Sequence, residues 1–256
     1  DLFAGLCITL GSHADAVVEK DTRKAGSCEN ILRAERLVVT VPIDVLKDLE
    51  FQPALESKAE AFQFLAMGPV HRVVLRFAEP FWELRDFHPG YLQSPESPFV
   101  TFWTARPWPE ARFTCWSGGS QTENVGKRPV AQAVESLAAA LDFSVDKLQK
   151  YLIDSHYHNW CRDPFSRGAY SYVRVGGENA REILAEPLDD TLYFAGEACA
   201  LDDRTGTVDG AIATGLKAAD EILRPAQAKR WHSHCTFRRE EKKMGHKLLA
   251  VSFFSL

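Results

Sequence analysis

From Thr191 to Leu223 the chain reads TLYFAGEACALDDRTGTVDGAIATGLKAADEIL, and few folds accommodate that order of residues. An apolar run, Leu192 to Ala195, meets a turn at Gly196-Glu197 and then a polar loop that ends at Gly206. Beyond it Val208, Ala211, Ile212, Gly215, Leu216, Ala219, Ile222 and Leu223 recur at the helical period, which predicts a helix with that face buried. The segment is thus a strand, an acidic turn, a loop and a helix. Thr207 has the side chain to cap the helix, whose free N–H groups and positive dipole end predict an anion site facing whatever the loop encloses. Glu197, directly after a buried strand, has no evident structural need for its charge and reads as an acceptor for a bound ribose or its linked phosphates; a solvated glutamate would give the same pattern.

Composition narrows the partners. A chain of 256 residues, 45% hydrophobic and 25% charged, can bury a sizeable core and predicts a globular protein of one or two domains. Its net charge of -5 argues against nucleic acid as a partner. No apolar run approaches the ~18 residues of a membrane helix, so no membrane association is expected. The cysteines, Cys7, Cys28, Cys115, Cys161, Cys199 and Cys235, are dispersed without a CxxC pair, which favours a reducing compartment such as the cytoplasm. His232, His234 and Cys235, like His156, His158 and Cys161, fall short of a zinc ligand set, and no metal is expected.

Taken in order, Leu2 to Val18 holds a short apolar helix end and strands about Ile8 and near Ala16, and 19–35 reads as a long hairpin connection. RLVVTV, Arg36 to Val41, is a buried strand stopped by Pro42. A helix is expected from about Ala54 to Ala66, broken by Gly68-Pro69, and a strand over His71 to Phe77. Phe99 to Trp103 and Arg112 to Trp116 look like paired strands, Pro129 to Leu141 a helix, and Leu148 to His158 a further strand.

Three stretches together carry a resemblance: VTVPIDVL through MGPVHRVVLRFAEPFW, WCRDPFSRGAYSYV from Trp160 to Val173, and the FAGE and GTV elements of the opening segment. They are similar to the flavin-containing amine oxidase family, which includes monoamine and polyamine oxidases and amine-oxidase-type histone demethylases. The resemblance covers about Leu2 to Leu223 and implies an α/β (α+β) fold: an incomplete two-domain FAD-dependent enzyme with a mixed substrate-domain sheet, flanking helices, and the last strand and helix of the FAD-binding domain. It divides the chain into 1–42 and 176–224 as FAD-binding segments, 43–175 as substrate domain, and 225–256 as an unmatched, poorly ordered tail.

The same resemblance implies site residues. FAD would be held by Ala14, Thr40, Val41, Pro42, Trp160, Gly196, Glu197, Gly206, Thr207 and Val208. Tyr170 would form an aromatic wall beside the substrate amine, since such a wall excludes water and favours a neutral amine. Arg72 stands where the family has a lysine that holds a water near the flavin. An arginine stays protonated and cannot serve as a base, so it would orient a carboxylate or water; a surface arginine is the plain alternative.

A strand-GxGxxG-helix unit, which lets backbone approach a pyrophosphate, is missing from this sequence. The chain therefore reads as a piece of a longer protein, with that amino-terminal dinucleotide-binding unit as its missing partner, and alone it should hold FAD weakly or not at all. The implied activity is oxidation of a small-molecule amine, of polyamine or monoamine type, to an imine, with dioxygen reduced to hydrogen peroxide. Two alternatives stand beside it: a related flavin oxidoreductase acting on a non-amine such as a porphyrinogen or carotenoid, and a non-catalytic truncated paralogue.

Overall fold

The computed structural model describes residues 6–10, 16–20, 32–85, 88–108, 110–224 and 248–251. The chain divides into two compact units, 1–67 with 164–256 and 68–163. Of the divisions read from the sequence, those after 42 and after 175 fall inside the first unit, where Ile43, Val45, Leu46 and Val173 all join one core.

In the first unit, β1 (Leu6–Leu10), β2 (Ala16–Lys20) and β3 (Leu32–Ala34) form an antiparallel meander. Next comes β4 (Arg36–Val39), whose apolar run is buried at Leu37, Val38 and Val39. Pro42 accepts from the N–H groups of Val45 and Leu46 and so starts the short helix α1 (Ile43–Leu46); β5 (Glu50–Gln52) then pairs parallel to β1. The helix expected over 54–66 is shorter: α2 is Ala59–Phe64, and β6 (Leu65–Gly68) is extended. Tertiary partners decide this. Lys47 Nζ donates to Leu65 O at 2.6 Å and Asp44 Oδ2 accepts from Met67 N at 3.2 Å, so these backbone groups are satisfied outside a helix.

The second unit begins with β7 (Val70–Phe77), followed by β8 (Tyr91–Gln93), β9 (Thr101–Thr104) and β10 (Arg112–Gly118). Two helices come next, α3 (Pro129–Ala140) and α4 (Val145–Tyr151), and then β11 (Leu152–Tyr157). The strands form one antiparallel sheet in the order β11-β7-β10-β9-β8. One sheet face carries Val73, Leu75, Phe77, Phe113 and Cys115, fully or almost fully buried in one core with Ala133, Val134, Leu137 and Ala138 of α3. Arg72 and Arg76 alternate onto the other face and are exposed. The start of the expected strand 148–158 is helical instead: Ser144 caps α4 by accepting from Lys147 N, and Leu148 is buried in the core.

Returning to the first unit, β12 (Tyr170–Val173) pairs with β6, and α5 (Ala180–Ala185) leads to β13 (Leu192–Phe194) and then α6 (Val208–Leu223). β13 and β14 (Leu248–Val251) flank β4, all parallel. The region 225–256, read as a tail, thus contributes a strand; its other residues lie outside those described. α6 forms where expected, but of its expected face Ile222 packs on the core while most of the large apolar residues are turned out. Gly210 and Ala218 are buried and Thr214 bonds to Gly196, whereas Val208, Ile212, Leu216 and Leu223 are 59–77% exposed. Only the small-residue side lets the helix approach the β13 turn closely. No helix among the described residues is long and apolar enough to cross a membrane.

Candidate functional site

Parallel pairing brings the carboxyl ends of β4 and β13 side by side, the edge where open parallel sheets bind ligands. Thr40, Val41 and Pro42 follow one strand, Gly196 and Glu197 the other. Gly196 has φ +131, a conformation that favours glycine, and a side chain there would lie 3.8 Å from Thr40 O. Its N–H donates to Thr214 Oγ1 at 2.9 Å, which fastens the turn to α6. Val41 is buried in the core, so its side chain has a packing duty.

Glu197 is not idle, which corrects the expectation that its charge has no structural use. Its Oε1 accepts from Ser171 N at 3.0 Å and its Oε2 from Ser171 Oγ at 2.8 Å. Arg181, on α5, donates to Ser171 Oγ at 2.8 Å, to Ser171 O at 3.1 Å and to Ala198 O at 3.0 Å. A carboxylate offers about four lone-pair sites. Two are used among the described residues, and a ligand hydroxyl could use the remainder. Burial pulls the Arg181 pKa below its ordinary value, while Glu197 and then Cys199 act in the other direction. Cys199 itself is pushed up to about 12, first by burial and then by Glu197, so its thiol stays neutral and takes no nucleophilic role at neutral pH.

The other side of the site is built on the same strand, β12. Gly206, at φ +70, lies against Tyr170: a side chain on it would come within 3.4 Å of Tyr170 Cβ. Thr207 then caps α6 as expected, its Oγ1 accepting from Gly210 N at 3.1 Å and donating to Arg204 O at 2.5 Å. Of the first N–H groups of α6, Gly210 is satisfied by this cap and Ala211 by Thr207 O, leaving Val208 and Asp209 without an intrahelical partner. Asp209 places a negative charge in that first turn. The turn therefore suits partial negative charge on a ring better than a full anion. Tyr170 and Tyr172 are about two-fifths exposed, on the side of the strand away from buried Ser171.

A cavity of about 250 Å³ beside this end of α6 is lined by Cys199, Ala200, Leu201, Asp202, Arg204, Gly210 and neighbours in α6. It is smaller than the ~300–1,000 Å³ of usual small-molecule sites, so it does not house a whole dinucleotide. Around the same turn, the remaining lone pairs of Glu197 and the first amides of α6 are groups that could meet a ligand with hydroxyls and a polar ring edge.

Arg72 and Trp160 belong to the other compact unit. Arg72 is exposed on β7, across from Trp116 in register. Trp160 is half-buried and meets His158 edge-on at 4.4 Å, and His158 Nε2 lies 3.0 Å from Asp163 Oδ2. His158 is thereby engaged, and among the described residues no three metal-ligating side chains converge. Ala14, expected to contact the cofactor, lies outside the described residues. Sequence reasoning passed over Ser171, Arg181 and Thr214. Ser171 was visible inside the YSY pattern, but nothing in the sequence singles out Arg181, because its partners, the Ser171 hydroxyl and two backbone carbonyls, are brought close only by folding.

Comparison with known proteins gives a consistent result. The family model described as flavin containing amine oxidoreductase matches residues 9–223. Polyamine oxidase 3 of Oryza sativa subsp. japonica is 32% identical over 237 residues, which is 86% of this chain and 46% of the rice protein. The human lysine-specific histone demethylase 2 is 29% identical over 207 residues, 74% of this chain and 24% of that protein. Among solved structures, cyclohexylamine oxidase from Brevibacterium oxydans superposes with a TM-score of 0.69 at 21% identity, covering 84% of this chain and 47% of that one. A putrescine oxidase bound to putrescine gives 0.70 at 18%, with 86% and 48% covered. This chain spans less than half the length of each of these proteins.

Proposed function

The chain belongs to the flavin containing amine oxidoreductase family, and from that membership we propose that it forms the carboxyl-terminal half of an FAD-dependent oxidase of polyamines or monoamines. The observation that carries this reading is the shared strand β12: Glu197 is tied to Ser171, and Gly206, at the α6 start, packs on Tyr170. Two chain-distant motifs are thereby held at one place.

Bound FAD would accept a hydride equivalent from the carbon next to the amine nitrogen and pass electrons to dioxygen, giving peroxide. The protein's part is positioning and electrostatics. Glu197 accepts hydrogen bonds from ribityl hydroxyls, its orientation fixed by Ser171 and Arg181. Gly196 supplies the turn at a positive φ that a side chain would strain. The amides of Val208 and Asp209 stabilise partial negative charge at the ring edge. Tyr170 supplies an aromatic wall that excludes water, and a neutral amine is the form able to react there. Arg72, in the other compact unit, stays protonated and so does not serve as a base. Dispersed cysteines, of which Cys115, Cys161 and Cys199 are free thiols, suit a reducing compartment.

The test is a chimera joining this chain to the amino-terminal dinucleotide-binding half of a polyamine oxidase. The purified chimera should retain flavin and release peroxide with polyamines or simple monoamines, while Glu197→Gln weakens flavin retention. A chimera that keeps flavin but oxidises no amine refutes the substrate class and favours the non-amine reading. Tight flavin retention by the 256-residue chain alone would refute the need for the other half.

A further inference from the structure

A second concavity has no part in the reading above. At one end of the β7–β11 sheet, between those strands and the segment that enters α3, lies a cavity of about 760 Å³, within the range of small-molecule sites. Neither Arg72 nor Trp160 lines it. Its floor is the pair His71 and Tyr157, whose Nδ1 and hydroxyl are 2.8 Å apart with stacked rings. Pro69, Val125 and Pro129 give it apolar walls, and Lys127 and Arg162 give it two cations, against the single acid Glu123.

From these groups we propose that the cavity is a binding site for a small carboxylate with a short apolar body. Burial lowers the His71 pKa, so the imidazole is neutral at pH 7. With its proton on Nδ1 it donates to the Tyr157 oxygen, which leaves the phenol hydrogen free to be donated to a ligand. Burial, and then the nearby Cys161, raise the Tyr157 pKa, so the phenol keeps that hydrogen. Lys127 and Arg162 supply the charge that a carboxylate needs and repel an ammonium. The apolar walls take the ligand's body. One excess positive charge matches a monoanion.

The 256-residue chain is titrated with benzoate by calorimetry, with benzylamine as the cationic control. Benzoate should saturate and benzylamine should not. A Lys127→Gln/Arg162→Gln variant should bind benzoate about tenfold or more weakly, since each cation contributes a charge-assisted hydrogen bond. Tyr157→Phe should also weaken it, with Lys217→Gln, on α6, as the neutral reference. Lys127 and Arg162 are exposed, so their variants keep the fold, and circular dichroism checks this. The proposal is overturned if benzoate does not saturate, if benzylamine binds equally well, or if either set of substitutions leaves benzoate affinity unchanged. None of these outcomes depends on flavin.

Discussion

Alanine at Gly210 and alanine at Gly215 should move stability in opposite directions, although both glycines are interior to α6. In isolation either change favours the helix by about 1 kcal/mol. At Gly215 an added Cβ meets nothing within 4 Å, so that gain should appear almost in full. At Gly210 the Cβ would lie 2.2 Å from Arg204 O, 3.0 Å from Arg204 C and 3.2 Å from Ala200 Cβ. The first two are backbone atoms and cannot swing aside, so the loop or the helix must shift by about 1 Å, an overpacking cost of about 1–3 kcal/mol. Arg204 O also accepts from Thr207 Oγ1, and displacing it disturbs the helix cap for about 1 kcal/mol more. The balance is a net loss of about 2 kcal/mol for Gly210→Ala. At ~2–4 °C per kcal/mol, thermal unfolding followed by circular dichroism should show a fall of about 4–8 °C for Gly210→Ala and a rise of about 2–4 °C for Gly215→Ala. Equal midpoints for the two variants would refute the close-approach argument.

Lys58 is 2% exposed and donates to Ile183 O at 2.5 Å and to Glu186 O, closing the carboxyl end of α5. Lys58→Met removes two charge-assisted bonds and strands both carbonyls, so the urea midpoint should fall by the equivalent of about 2–4 kcal/mol. For the thiols, maleimide at neutral pH followed by mass spectrometry should label half-buried Cys161 and spare Cys115 and Cys199, which are 0% and 4% exposed, until the chain is unfolded. The raised Cys199 pKa means the native state keeps a proton that the unfolded chain loses. Its contribution is complete below pH 9.0 and is lost as pH rises toward about 12, at about 1.4 kcal/mol per pH unit once the unfolded thiol has ionised, and Cys199→Ala should flatten that slope.

The sequence by itself determined the elements whose signal is local. Thr207 caps α6 because a hydroxyl one turn ahead of Gly210 is all that capping requires. The run RLVV and the alternation of HRVVLRF are strands because their apolar periods admit little else. The motif order also sufficed to point to the family, since each motif spans only a few residues. Tertiary structure decided what depends on distant neighbours. Leu65 and Ala66 left the helical pattern because Lys47 and Asp44 claim the backbone groups of Leu65 and Met67. Most of the apolar side of α6 did not become its buried side, because close approach to Arg204 and Ala200 admits only glycine at 210, and Thr214 is tied to the Gly196 turn. Glu197 gained a structural duty through Ser171, a residue far from it in sequence. Periodicity records which residues share a face, but hydrogen-bond partners and permitted approach distances are settled only when separate segments meet.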